Sequence, residues 1–193
     1  MSVTHAQGFR ASGVTAGLKA SGKSDVALVV NDGPLDVAAA VFTSNRVQAA
    51  PVKWSIEAAK SGTLKAVVLN SGGANACTGA QGFANTVTTA EKVAELTGIE
   101  VNDVAVCSTG LIGKHLPMDT LLAGVDKAHA ALSADGGEAA ATAIMTTDSV
   151  AKTAICECDE EWTIGGMAKG AGMLAPGLAT MLVVITTDVV IDQ

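Results

Sequence analysis

The stretch from Leu64 to Cys107 decides the fold class. It opens with LKAVVL over Leu64–Leu69, an apolar run that predicts a strand, followed by NSGGAN over Asn70–Asn75, which predicts a turn. The next segment, TVTTAEKVAEL over Thr86–Leu96, has apolar residues at helical spacing. The stretch closes with VNDVAVC over Val101–Cys107, a second predicted strand. A strand, a helix and a strand in this order favour a mixed α/β (α+β) domain in which sheets and helices form layers.

Further strands and helices are predicted on both sides of this stretch, and they alternate without strict βαβ spacing. The additional predicted strands are Val26–Val30, Asp36–Thr43 as its hairpin partner, Ala151–Cys158, Thr163–Lys169 and Met181–Thr187. The additional predicted helices are Ser55–Lys60 with Ser55 as N-cap, Met118–Leu132 and Glu138–Met145.

The composition and the charge exclude several classes of protein. Of the 193 residues, 49% are hydrophobic and 16% are charged, which is typical of a folded chain with a buried core. The formal net charge of −7 argues against a nucleic-acid-binding surface, which needs a basic patch. No apolar run approaches the ~20 residues of a membrane span, and the first ten residues lack the apolar core of a signal peptide. We therefore expect a cytoplasmic protein whose four cysteines are thiols.

The segment GLKASGKS over Gly17–Ser24 matches the phosphate-binding pattern G-x-x-x-x-G-K-[ST]. A loop of that kind follows a buried strand and begins a helix, whose N-terminus helps to bind the phosphates. Here the preceding residues 9–16 are polar and rich in glycine, and the following residues 25–30 are strand-like. The context therefore favours a glycine-containing turn between strands over a nucleotide-binding site.

The sequence gives little support for a metal site. Cys156-Glu157-Cys158 precedes three acidic residues, but no second cysteine pair exists, and His5, His115 and His129 are scattered. We expect no bound metal here and an exposed strand end with an acidic turn.

Two other segments carry candidate functional residues, and each has a structural alternative. Ser108-Thr109-Gly110 follows a predicted strand and could offer a hydroxyl and a backbone N–H to a developing negative charge, or be an ordinary turn. Lys169 precedes the small residues of GAGM and could approach a substrate, or be a solvated surface lysine. The pattern alone does not decide between these alternatives.

Several segments together resemble the ornithine acetyltransferase family, the bifunctional enzymes of arginine biosynthesis that also act as glutamate N-acetyltransferases. They stand in family order and extend over nearly the whole chain. The segments are Thr43–Val52, Asn70–Gly79 (NSGGANACTG), Cys107–Gly113 (CSTGLIG), Leu116–Asp119 (LPMD), Ala143–Asp148 (AIMTTD) and Gly165–Leu182 (GGMAKGAGMLAPGLATML). The resemblance implies a layered fold like that of N-terminal-nucleophile enzymes.

The resemblance also implies that the polypeptide cleaves its own backbone between Ala179 and Thr180. Residues 1–179 would then form the α-chain region, and residues 180–193 would be the start of the β-chain region. The freed α-amine of Thr180, with an unperturbed pKa near ~8, would act as base for its own hydroxyl.

The activity implied by the resemblance is acetyl transfer from N-acetylornithine to glutamate through an acetyl ester on the nucleophile Thr180. Thr109 and Gly110 would form the oxyanion hole, and Thr146, Lys169 and Thr180 would bind substrate. A cationic Lys169 suits substrates that carry an α-carboxylate. No cofactor is implied, although some family members accept acetyl-CoA as donor, and the family assembles from two α and two β chains.

Gln193 is the last residue, at about half a family member's length, so further substrate contacts would come from a β chain. The alternative from another class is a non-catalytic structural or binding subunit. Acetyl transfer after co-expression with a second chain would distinguish the enzyme from that subunit, and ATP binding that depends on Lys23 would favour the nucleotide-binding alternative.

Overall fold

The computed structural model describes residues 2–158, 161–172 and 180–191. This part of the chain forms seven strands and four α-helices. The strands are β1 (Phe9–Val14), β2 (Val26–Asn31), β3 (Ala66–Gly73), β4 (Val104–Leu111), β5 (Lys152–Cys158), β6 (Trp162–Lys169) and β7 (Leu182–Thr187). The α-helices are α1 (Ala50–Ala58), α2 (Gly79–Thr97), α3 (Met118–Ala130) and α4 (Gly137–Ala143).

The strands form two sheets. The first has the order β1-β2-β3-β4, in which β3 and β4 are parallel and the other neighbours are antiparallel. The connection between β3 and β4 runs through α2, as a parallel pair requires. The second sheet is an antiparallel meander of β5, β6 and β7.

The first sheet is buried on both faces, which explains the unbroken apolar run in β2. Val26, Leu28 and Val30 belong to one hydrophobic core, which they share with residues of α2 and α3. Ala27 and Val29, which alternate with them, belong to a second core on the opposite face. Strand β2 therefore lies between two layers, one packed on each face of the first sheet.

The second core joins the first sheet to α4 and to the second sheet. Met167 from β6 and Val184 from β7 pack there with Ile144, directly after α4. The architecture is thus one layer of helices, a four-stranded sheet, and a further layer of α4 and the three-stranded sheet. The predicted mixed α/β class is confirmed.

Strong local periodicity predicted most elements correctly. The strand at Val26–Val30 and the helices at Thr86–Leu96 and Met118–Leu132 all exist, with shifts at their ends. Helix α2 ends at Gly98, which has the left-handed φ of 72° typical of a glycine C-cap.

Four local predictions were wrong. Asp36–Thr43 is not a strand, since β2 pairs with β1 and β3, and Val41 is almost fully exposed. Ser55 is not an N-cap, because α1 begins at Ala50; its buried hydroxyl instead donates to the carbonyl oxygen of Val106 at 2.8 Å. The predicted turns at residues 70–75 and 108–110 are wrong over most of their length, because β3 extends to Gly73 and β4 to Leu111.

The polar, glycine-containing segment before Gly17 contains strand β1, which was not among the predicted strands. Its small residues have a packing reason, because α4 lies directly against it. A Cβ on Gly13 would lie 1.9 Å from the carbonyl oxygen of Ala139 in α4. The small residues of β1 make its sequence look like that of a loop, but their role is to leave room for α4.

Candidate active site

The parallel strands β3 and β4 end side by side, and their last residues approach each other closely. Gly110 lies opposite Gly72 across the pair. A Cβ on Gly110 would lie 2.6 Å from the carbonyl carbon of Gly72, and φ of Gly110 is 127°. Glycine alone satisfies both constraints without strain. The same backbone holds the neighbouring Thr109 in the strand, where it is 2% exposed.

Lys169 connects four separate parts of the chain. It is the last residue of β6 and is 4% exposed, so it is not a solvated surface lysine. Its Nζ donates hydrogen bonds to Thr146 Oγ1 at 2.7 Å and to Thr109 Oγ1 at 3.1 Å. A third, longer bond of 3.4 Å reaches the carbonyl oxygen of Thr180. The structure therefore brings Thr109, Thr146 and Thr180 together around one buried amine.

The surroundings of this amine influence its charge. Burial lowers the pKa of Lys169, because the charged amine loses hydration, and the nearby cation of Lys152 lowers it further. The Asp148 carboxylate opposes both effects and raises that pKa. The three direct acceptors that the described residues provide are uncharged oxygens, so the ammonium charge is available to interact with a negative charge that a substrate brings.

Asp148 is a residue of this region that the sequence analysis missed. Its side chain is completely buried, and it accepts hydrogen bonds from the backbone N–H of Gly170 at 2.8 Å and of Thr146 at 3.2 Å. The Lys152 amine also pairs with it. Burial alone would raise the pKa of Asp148, but the hydrogen bonds from Lys152, Gly170 and Thr146 outweigh it and lower this pKa to about 2. The signals in the sequence were the repeated tripeptide Thr-Thr-Asp, at residues 146–148 and 186–188, and the place of Asp148 at the end of the resembling segment Ala143–Asp148.

The two residues of the predicted cleavage site differ in what the structure describes. Ala179 lies outside the described residues. Thr180 is half-buried, two residues before β7, and its carbonyl oxygen faces Lys169. The nucleophilic role of Thr180 and the division of the chain at this bond stay predictions.

A cleft opens beside the end of the β3–β4 pair. Its volume is about 260 Å³, and Gly72 and Gly73 form part of its wall. The remaining lining residues are Leu18, Leu111, Lys114, His115, Leu116 and Pro117. Because Gly72 lies opposite Gly110, the cleft provides space for a small molecule next to the predicted oxyanion hole.

The segment that resembles a phosphate-binding loop is occupied by a carboxylate of the chain itself. Asp25 is fully buried, and its two oxygens accept hydrogen bonds from four successive backbone N–H groups, those of residues 16 to 19, at 2.6 to 3.0 Å. The first three amides of the motif, those of residues 17 to 19, are therefore already used. The segment connects β1 to β2, as the turn interpretation predicts, and no helix begins at Lys23.

Other candidate chemistries find no support in the described residues. No group of three or more His, Cys, Asp or Glu side chains in ranges 2–158, 161–172 and 180–191 could hold a metal ion. The sulfur atoms of Cys156 and Cys158 lie 3.7 Å apart. Burial raises the pKa of the Cys107 thiol to about 11, so this neighbour of Thr109 stays protonated and is a poor nucleophile.

Within residues 2–158, 161–172 and 180–191, no helix is long and apolar enough to cross a membrane.

Comparison with solved structures supports the fold with close matches. An ornithine acetyltransferase from Mycobacterium tuberculosis, solved in complex with ornithine, superposes with a TM-score of 0.89 and 53% sequence identity, covering 94% of this chain and 96% of that one. The arginine biosynthesis bifunctional protein ArgJ from Bacillus halodurans gives a TM-score of 0.82 and 39% identity, covering 94% and 95% of the two chains.

Comparison with curated proteins gives the same family. The arginine biosynthesis bifunctional protein ArgJ of Streptomyces avermitilis is 65% identical over 193 residues, which are all of this chain and 50% of that protein. The protein of the same description from Bifidobacterium longum is 62% identical over 195 residues, again all of this chain and 50% of its own length. The chain thus spans about half the length of the curated relatives it matches. The ArgJ family matches residues 10–193, and the chain belongs to this family.

Proposed function

We propose that the chain forms the first half of an acetyltransferase of arginine biosynthesis, which moves an acetyl group from N-acetylornithine to glutamate. Thr180 is the nucleophile, after the backbone has been cleaved between Ala179 and Thr180. One observation carries the proposal: in a member of the ArgJ family, a buried lysine amine contacts Thr109, Thr146 and Thr180.

A comparison of lengths supports the cleavage. A curated ArgJ protein of Mycobacterium tuberculosis extends to twice the matched region, since the match covers 48% of it. The chain of the solved ornithine acetyltransferase from the same organism is covered over 96% of its length. A precursor cut near the position of residue 180 would account for the difference between the two lengths.

The cleavage needs only the hydroxyl of Thr180 and water. The Thr180 oxygen attacks the carbonyl carbon of Ala179, and the peptide C–N bond breaks while the nitrogen receives the hydroxyl proton. The resulting ester is hydrolysed by water, which leaves a carboxylate on Ala179 and restores the Thr180 hydroxyl beside a free α-amine. The Lys169 amine, 3.4 Å from the Thr180 carbonyl oxygen, holds the new terminus until a substrate binds.

The transfer then proceeds in two half-reactions. The α-amine of Thr180 removes the hydroxyl proton as the oxygen attacks the acetyl carbonyl of N-acetylornithine, and it then gives that proton to the departing ornithine amine. The acetyl group remains on Thr180 as an ester. The unprotonated amine of glutamate attacks this ester, its proton passes to the α-amine, and N-acetylglutamate leaves as the Thr180 oxygen regains a proton.

Thr109 and Gly110 stabilise the oxyanion that forms in both half-reactions. Because Thr109 Oγ1 already accepts a hydrogen bond from Lys169, its own O–H proton is free to donate to the oxyanion. The ammonium of Lys169 polarises this hydroxyl and so strengthens its hydrogen bond to the oxyanion. A substrate α-carboxylate would replace the longest of the three lysine bonds, the one to the Thr180 carbonyl oxygen.

The substrates and partners follow from the same proposal. N-acetylornithine is the donor, glutamate is the acceptor, and acetyl-CoA is a second donor in members that synthesise acetylglutamate directly. The β chain supplies the remaining substrate contacts, and two chains of each kind associate. No cofactor takes part in the steps above.

The proposal is tested by the chain co-expressed with a second chain that corresponds to the other half of its relatives. N-acetylornithine with a labelled acetyl group is mixed with glutamate, and labelled N-acetylglutamate is measured. We expect transfer by the wild type and by Thr180→Ser, which keeps a hydroxyl, and none by Thr180→Val, which keeps the shape alone. Equal transfer by Thr180→Val would contradict the proposal, and no transfer by any of the three would favour the non-catalytic subunit.

A further inference from the structure

Asp148 joins the two backbone segments that carry the polar groups of the site. Its carboxylate accepts a hydrogen bond from the N–H of Thr146, whose side chain binds Lys169. It also accepts one from the N–H of Gly170, the residue directly after Lys169. One buried side chain therefore fixes both partners of the 2.7 Å bond between Lys169 Nζ and Thr146 Oγ1.

The backbone at Gly170 has a conformation that glycine adopts readily and that residues with a Cβ rarely adopt, with φ of 150°. Beyond Gly172 the chain leaves the described residues. At this end of β6, the N–H of Gly170 donates a 2.8 Å hydrogen bond to Asp148. Asp148 lies in the segment that follows α4, so this bond connects the end of β6 to that segment.

We propose that Asp148 is a positioning residue of the transferase site, which holds Lys169 against Thr109 and Thr146 by binding the backbone on both sides of their contact. This inference rests on the proposed function. Asp148 does not touch the reacting atoms; it acts through Lys169 and Thr146. Lys152 completes the arrangement by balancing the buried carboxylate with a partly exposed amine.

The charges around Lys169 give the proposal an electrostatic consequence. Among the described residues, the charged groups that interact with it are Asp148, Lys152 and Lys19, of which Asp148 alone is negative. Asp148 raises the pKa of Lys169 and Lys152 lowers it. Neutralising Asp148 therefore lowers the pKa of Lys169, and neutralising Lys152 raises it.

The chain contains a matched control for Asp148. Asp188 ends the second Thr-Thr-Asp tripeptide and accepts hydrogen bonds from the N–H of Gln7 at 2.9 Å and of Thr163 at 2.6 Å, and from the Thr163 hydroxyl. Thr163 lies near the start of β6, whereas Lys169 is at its end, so Asp188 is structurally similar but remote from the site.

The test compares Asp148→Asn, Asp188→Asn and Lys152→Gln in the chain co-expressed with its second chain. We expect Asp148→Asn to lower kcat/KM for acetyl transfer by roughly 10- to 100-fold, as misplaced catalytic groups do, and to shift the alkaline limb of its pH profile to lower pH. Lys152→Gln should shift this limb to higher pH. Asp188→Asn should change neither kcat/KM nor the limb. A loss of kcat/KM below twofold in Asp148→Asn, or an equal loss in Asp188→Asn, would overturn the proposal.

A second measurement separates this proposal from the proposed function. The contacts of the Lys169 amine are followed by NMR in the co-expressed protein and in the same three variants, without turnover. Loss of the contacts from Lys169 Nζ to the Thr146 and Thr109 side chains in Asp148→Asn, with both contacts kept in Lys152→Gln and Asp188→Asn, supports the positioning role even if the wild type transfers no acetyl group. Unchanged contacts in Asp148→Asn overturn it. If Asp148→Asn does not fold, Asp148→Glu, which keeps the charge but moves the carboxylate away from the two amides, is compared in the same way.

Discussion

The ammonium group of Lys169 is enclosed by oxygen atoms that carry no charge of their own. Two are threonine hydroxyls and one is a backbone carbonyl. Burying an amine in this way costs hydration free energy, which neutral acceptors only partly return. Functional sites retain such groups although the folded state would be no less stable without them.

This argument predicts opposite effects of Lys169→Met on activity and on stability. Methionine is a close match in volume and carries no charge, so the free energy of unfolding should fall by less than about 1 kcal/mol or should rise. Transfer activity should fall by at least about 100-fold, because the oxyanion loses its cation. Urea unfolding of the chain and kcat/KM of the co-expressed enzyme measure the two effects. A loss of several kcal/mol together with retained activity would contradict this account of Lys169.

The Asp148 carboxylate predicts a pH dependence of stability. Its pKa of about 2 in the folded chain is below the unfolded value of about 3.9, so its contribution is complete above pH 4 and is lost as the pH falls through 2. We expect about 1–2 kcal/mol from this residue. Free energies of unfolding of the wild type and of Asp148→Asn, measured from pH 2 to pH 7, should converge at the acid end. A constant difference over this range would show that the carboxylate is not stabilised in the folded chain.

The loop between β1 and β2 is organised by a single carboxylate rather than by a ligand. Asp25 binds four consecutive amides, and Lys19 in the same loop donates to the carbonyl oxygen of Ala143 at the end of α4. We predict that Asp25→Asn, which places an N–H₂ group among N–H donors, destabilises the chain by about 2–3 kcal/mol. Lys23→Ala should change stability by less than about 0.5 kcal/mol. Thermal and urea unfolding measure both, and ATP should stabilise neither protein.

At the scale of elements, the sequence predicts a segment well where its apolar periodicity and its environment agree. Strand β2 and helices α2 and α3 are such segments. The ends of β3 and β4 were predicted as turns because glycine favours turns, whereas Gly72 and Gly110 serve a close approach of two strands. Strand β1 was missed for a similar reason, since Gly13 accommodates α4. Local patterns do not reveal a neighbour that is distant in sequence.

At the scale of the whole molecule, the site depends on the layering of the two sheets. Thr109 belongs to the first sheet and Lys169 to the second, and the segment after α4 supplies Thr146. No spacing rule predicts this convergence; only the resemblance to the ornithine acetyltransferases indicated that these residues act together. Asp148 ends a segment that carries the resemblance, but neither route indicated its role, because that role depends on two backbone amides that only the folded structure brings together.

The central claim is that Thr180 becomes an N-terminal residue and carries the acetyl group during transfer. The most direct measurement is the intact mass of the co-expressed protein under denaturing conditions, after mixing with N-acetylornithine in the absence of glutamate. The account predicts a fragment of this chain that begins at Thr180 and is heavier by one acetyl group, which disappears on addition of glutamate; in Thr180→Val this chain should keep its full, uncut mass. An uncut wild-type chain, or a cleaved chain that never gains the acetyl group while transfer proceeds, would contradict it.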